Sequence, residues 1–281
     1  MNKAPIFMTL AALGLSACGD DEDPVPSNTR SFSITFAAEI NGEPAACGSS
    51  YNNVGTPAGM YTLSDFRFYV HAVTLVEAGT GTPYFLDLDE SSVWQNEGVA
   101  LLDFEDGTGP CMNGTAETNA VVTGVAPDRD YDAITFVLGI PFVQNHQDVA
   151  VAEAPLNVTS LFWNWNAGYK YARIDGSTDG NPFRFHLGST ACEMGNENVV
   201  TSCANPNRVV VDLTEFNPDS STIVADIGTV FAQTDTSTSV DPQPGCQSNP
   251  TDADCTAIFN NLGLPFGGNA GTQEQSLFTV R

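Results

Sequence analysis

Basic residues are scarce in this 281-residue chain: nine Lys and Arg stand against 34 Asp and Glu, for a formal net charge of −25. Nine cations cannot build a stripe that tracks a phosphate backbone, so no nucleic-acid partner is expected. Histidine is scarcer still, with three residues, and tryptophan matches it with three. Several chemistries are missing outright. The chain has no Cys-x-x-Cys-His haem site, Gly-x-Ser-x-Gly elbow, phosphate-binding glycine loop or His-Glu-x-x-His zinc helix. Whatever chemistry it carries must come from few side chains.

A bilayer-length apolar run is also missing. The stretch Ala4 to Ala17 is apolar but falls short of the roughly 20 residues a span needs. With Lys3 before it, residues 1–17 read as a secretory signal. The closing Leu15-Ser16-Ala17-Cys18 resembles the lipobox of bacterial lipoproteins. That implies a lipidated Cys18 and a protein anchored to a bacterial membrane, in the periplasm or at the cell surface. Asp20-Asp21-Glu22-Asp23 with Pro24 and Pro26 make residues 18–30 an acidic, solvated tether.

Of the seven cysteines, Cys18 belongs to the leader junction, leaving Cys47, Cys111, Cys192, Cys203, Cys246 and Cys255. An even number in an exported chain implies disulfides, although six cysteines allow about 15 connectivities. Proximity in sequence favours Cys192–Cys203 and Cys246–Cys255, which leaves Cys47–Cys111. With all six paired, no thiolate remains for a metal.

From residue 31 to 281, short apolar runs alternate with turn residues, the pattern of an all-β, mainly antiparallel sandwich. Phe32–Ile40 alternates with period two and stops at Asn41-Gly42, a turn signal. Further expected strands are Tyr61–Val76, Ala133–Ile140, Ser160–Ile174, Phe183–Leu187, Val209–Leu213 and Thr222–Ile227. Asp252–Leu262 has helical spacing, with Gly263 as the residue after its end. It belongs to a disulfide-bonded appendix of about residues 235–281, whose last segment, Ser276–Val280, is expected to return as an edge strand.

His71 lies on "DFRFYVHAV", sharing a strand face with Tyr69 and Arg67. His146 follows a strand end in "GIPFVQNHQD", and His186 closes "FRFHLGSTAC". Imidazole is the commonest transition-metal ligand, but no spacing brings these three together. "DGSTDG", Asp175 to Gly180, offers the first, third, fifth and sixth places of a calcium loop; its twelfth place is His186 instead of Glu. An acidic hairpin turn is the preferred reading of it, and Asp87-Leu88-Asp89-Glu90 reads as a solvated bend. Trp163 and Trp165 in "FWNWNAGYKYARID" would share a strand face with Tyr169 and Tyr171 if no bulge intervened. An indole donates one hydrogen bond and offers a metal no lone pair, so this face reads either as a stacked aromatic wall or as latent chemistry.

Taken together, "DFRFYVH", "ALLDFEDGTGPCMNGT", "GIPFVQNH", "PLNVTSLFWNWNAGYKYARID", "FHLGSTAC" and "TSCANPN" resemble the MbnP-like proteins, the four-cysteine metallo-mystery-pair proteins. The resemblance extends from about Phe32 to the C-terminus, with Cys47, Cys111, Cys192 and Cys203 matching the four family cysteines. It implies an exported copper-binding protein, not itself an enzyme, that is the substrate of a MauG-like di-haem partner of the cytochrome c peroxidase family. In that family the partner oxidises the first tryptophan of a Trp-x-Trp motif to kynurenine, and the product holds one Cu(I). The motif here is Trp163-Asn164-Trp165, which selects Trp163 for modification; Trp165 would pack beside it or relay oxidising equivalents. His71, His146 and His186 are the candidate imidazole ligands. Two rival readings stand beside this one: a copper oxidase or peroxidase, and a calcium-binding surface module using Asp175–Asp179.

Overall fold

The computed structural model describes residues 28–196, 199–240 and 243–281. The leader, Cys18 and nearly all of the tether lie outside the described residues. Period-two alternation does what it should in the first strand, Thr29–Ile40, where Phe32, Ile34, Phe36, Ala38 and Ile40 are buried in turn. This strand is central in a six-stranded sheet, between Thr222–Asp226, which runs parallel to it, and the antiparallel Val121–Pro127. The expected edge strand is present as Phe278–Val280, paired antiparallel with Thr222–Asp226.

The second sheet has ten strands and is organised by Gly59–Glu77, 19 residues long. Along its length this strand pairs antiparallel with Ser50–Val54, Pro83–Phe85, Val99–Asp103, Tyr131–Leu138 and Ala172–Thr178. Asn181–Leu187 continues the sheet beyond Ala172–Thr178. The two sheets close on each other through edge-on aromatic pairs: Phe36 with Phe136 (ring centroids 5.7 Å apart) and Phe278 with both Phe136 (5.1 Å) and Phe68 (5.5 Å). Such pairs add about 0.5–1.5 kcal/mol each beyond area burial. The result is the expected all-β sandwich, mainly antiparallel. The three disulfides are Cys47–Cys111, Cys192–Cys203 and Cys246–Cys255, the pairing favoured by sequence proximity.

Helix is confined to short pieces. Cys255–Asn261 forms within the expected Asp252–Leu262, with Gly263 at φ +70° beyond it. Phe142–Asn145 and Ile227–Phe231 are additional helices. Asp226 ends a strand and caps the second of these, its side chain accepting from the Gly228 amide.

The long strand is buried on both faces, and this positions the site. Phe66, Phe68 and Val70 point into the sandwich, while Asp65, Arg67 and Tyr69 on the opposite face are equally covered. The covering chain runs between the strand ending at Leu138 and the one beginning at Ala172. It is pinned where Tyr69 Oη donates to Pro155 O (2.9 Å) and Tyr169 Oη to Leu156 O (2.5 Å).

Candidate metal centre

The expected strand Ser160–Ile174 is not continuous. A 3-10 turn at Thr159–Leu161 leads into Phe162–Asn164, which folds back onto Gly168–Tyr169; Ala172–Thr178 then joins the large sheet. The reversal comes from Asn164, whose Oδ1 accepts from the Asn166 and Ala167 amides at 3.0 and 2.9 Å. Gly168 completes it at φ +80°, where a Cβ would lie 2.2 Å from Asn145 O. Trp163, Trp165, Tyr169 and Tyr171 therefore do not share one strand face. Trp165 sits in the turn, 50% exposed, while Tyr169 and Tyr171 are fully buried. Trp163 is half-buried, and its six-membered ring occupies the space over Gly188 that a side chain would fill.

Trp163 neighbours His186, with ring centroids 6.4 Å apart and planes tilted by 53°. His186 Nε2 lies 2.7 Å from Asp175 Oδ1. A carboxylate only accepts, so Nε2 carries the proton and Nδ1 keeps its lone pair; Nδ1 is buried with no hydrogen-bond partner. Burial, reinforced by the nearby Lys170 and Arg173 charges, lowers the His186 pKa against the opposing pull of Asp175. Burial alone would raise the Asp175 carboxyl, but the His186 hydrogen bond and the Arg173 guanidinium outweigh it and hold it well below the carboxylate range.

The same pattern recurs at the other two histidines. His71 Nδ1 donates to Gly139 O at 2.8 Å, and His146 Nδ1 makes a longer bond to Trp165 O at 3.4 Å. Burial lowers both pKa values, and Arg208 lowers them further. Each of the three imidazoles is thus neutral, oriented through one nitrogen, and left with a lone pair on the other. Metal-ligating histidines are oriented in this way by outer hydrogen bonds. His146 Nε2 faces the Asn145 amide nitrogen at 3.3 Å and Cys203 Sγ at 3.5 Å.

Two sets of three donor atoms fall within 4.8 Å of one another among the described residues: His146 with Cys192 and Cys203, and Glu105 with Cys47 and Cys111. In both, the sulfurs are spent in disulfides. Neither set joins two histidines. The calcium loop at Asp175–Gly180 is instead the end of two paired strands with a turn at Asp179 and Gly180, both at positive φ. Asp175 is committed to Arg173 and His186.

Period-two pairing also builds a row that sequence reading missed. Asp103, Arg67, Arg173 and His186 stand opposite one another on four adjacent strands. Beside them Asp65 faces Asp175, and Arg173 bonds to both, at 3.0 and 2.8 Å. Alternation of charged and apolar residues in "DFRF" and "ARID" was the available signal.

Gly188→Ala is a direct test of the packing around Trp163. A Cβ there would stand 2.4 Å from the indole Cζ3 and 2.7 Å from Tyr169 O, so the indole must move outward. The expected result is a red shift in tryptophan fluorescence and a loss of about 1–3 kcal/mol on thermal unfolding.

Fold and site together define a disulfide-stapled β-sandwich whose covered outer face sets the Trp163 indole beside the neutral imidazole of His186. The chain belongs to the MbnP family, whose sequence model matches residues 29–248. Among solved structures it is similar to MbnP from Methylosinus trichosporium at 29% identity and a TM-score of 0.79, over 90% of this chain and 98% of that one. No curated protein matches it.

Proposed function

We propose that this is an exported Cu(I)-binding protein for copper acquisition, storage or handover, lipid-anchored through Cys18 in the periplasm or at the cell surface. It is not an enzyme; it is the substrate of a MauG-like di-haem partner that converts Trp163 to kynurenine. A four-electron oxidation cleaves the indole C2–C3 bond and leaves one oxygen on each carbon; hydrolysis by water then releases the N-formyl group as formate and leaves an aniline nitrogen and a ketone. A ring without a usable lone pair thereby becomes a donor. The oxidising equivalents come from the partner.

The observation that carries this reading is His186: a neutral, carboxylate-held imidazole with a buried, unpartnered Nδ1 beside Trp163. A buried polar atom without a partner calls for an explanation, and a bound cation supplies one. Cu(I) suits imidazole and soft donors. With the cysteines in disulfides, imidazoles and a modified Trp163 are the best remaining donors, and one or both of His71 and His146 complete the set.

Peptide mapping and metal analysis of protein from its native host test the proposal. Trp163 should be heavier by two oxygens less one carbonyl, and copper should be present at one per chain. Copper bound to protein with Trp163 unmodified would refute the mechanism.

A further inference from the structure

At the far end of the charged row from His186 lies a cavity of about 410 Å³. Its floor is Arg67 and Asp103, and Trp94, Leu101, Pro155 and Val158 are among its walls. The two floor residues face each other on adjacent strands, yet each is hydrogen-bonded elsewhere. Arg67 commits Nε and Nη2 to the Asp65 carboxylate at 2.8 and 2.5 Å. Asp103 Oδ1 accepts from the Glu105 amide at 2.9 Å. Arg67 Nη1 and Asp103 Oδ2 have no hydrogen-bond partner among the described residues. Nη1 approaches the cavity wall at Gly114, 3.3 Å from where a Cβ would sit.

A cation-presenting and an anion-presenting atom, side by side beneath a chamber with both apolar walls and polar ones such as Asn157 and Thr159, form the complement of one small-molecule class. We propose that this cavity binds a free α-amino acid with an apolar side chain, its carboxylate on Arg67 and its ammonium on Asp103. An α-amino acid carries opposite charges on one carbon, which matches neighbouring positions on adjacent strands. The volume falls within the range of small-molecule sites, roughly 300–1,000 Å³. The walls suit a leucine- or phenylalanine-sized side chain. A ligand with only one charge would leave either Nη1 or Oδ2 without a partner. On the ammonium side, burial raises the Asp103 pKa to about 7, so a cation bound at Oδ2 would stabilise its charged form.

Calorimetric titration of the full-length, disulfide-intact protein with L-phenylalanine, L-leucine, phenethylamine and 3-phenylpropionate decides the matter. Saturable 1:1 binding is expected for the two amino acids, with the amine and the acid at least about tenfold weaker, since each leaves one of the two floor atoms, Nη1 or Oδ2, without a partner. Asp103→Asn should weaken phenylalanine binding at least about tenfold while leaving copper content unchanged. Val158→Trp, which fills the chamber without touching the ionic floor, should abolish binding and carries the test if Asp103→Asn does not fold. Absence of amino-acid binding, equal binding by phenethylamine alone, or full binding by Val158→Trp would overturn the proposal.

Discussion

Asp175→Asn should lower both stability and copper affinity, and the two losses should respond differently to acid. Removing the carboxylate charge leaves Arg173 with Asp65 as its one carboxylate partner and gives His186 Nε2 a neutral amide oxygen in place of an ionised acceptor. Breaking a buried, hydrogen-bonded ion pair typically costs about 3–5 kcal/mol. Because Asp65 remains 3.0 Å from Arg173, the lower end, about 3 kcal/mol, is expected. For a domain of this size that is a fall in Tm of about 6–12 °C. The folded-state pKa of Asp175 is depressed, so its contribution is full above the unfolded value of about 3.9, declines progressively below it, and is lost only as pH falls through the depressed folded value. The gap between the melting temperatures of the two proteins should therefore stay constant above about pH 5 and shrink steadily as pH falls below about 4. Copper should bind about 10–100-fold more weakly, because losing the outer carboxylate frees the ring orientation and lowers ligand basicity. A variant that melts normally at pH 7 would disprove the role of Asp175 as the anchor of this row.

Trp163→Phe separates the ring as packing from the ring as chemistry. The indole is half-buried against Gly188, and a phenyl ring retains much of that contact. The expected stability loss is about 1–2 kcal/mol, less than the 3–5 typical of removing a fully buried aromatic. Its effect on metal should be far larger: co-expressed with the proposed di-haem partner and desalted, the variant should hold essentially no Cu(I). Trp165→Phe should keep its copper, because Trp165 lies in the exposed turn and meets His146 through its backbone oxygen. Full copper occupancy in Trp163→Phe would remove Trp163 from the ligand set.

Much of the architecture was legible in residue order because its cause is local. Phe32–Ile40 alternates since one face is buried, and the disulfides join the cysteines that proximity favours. The hairpin at 162–169 was not legible because the side-chain hydrogen bonds of Asn164 override an aromatic, β-prone run. The buried ionic cluster of Asp65, Arg67, Arg173 and Asp175 was not legible for another reason. Charged residues alternating with apolar ones ordinarily face water, and only the chain packed over them through Pro155 and Leu156 reverses that. The three histidines were found by scarcity, but what makes them usable, an acceptor on one nitrogen of each, comes from residues 11, 19 and 68 positions away.

The Cys192–Cys203 bridge touches His146, with Cys203 Sγ 3.5 Å from Nε2. In the oxidised protein it is an inert spacer that offers no thiolate. Reduction would place two sulfur donors beside that imidazole, and thiolate is the softer ligand, preferred by Cu(I) and by zinc alike. The selectivity of the proposed centre would thus depend on the compartment as much as on the chain: outside the cytosol an ion would meet nitrogen and oxygen, and among cellular reductants a sulfur trap.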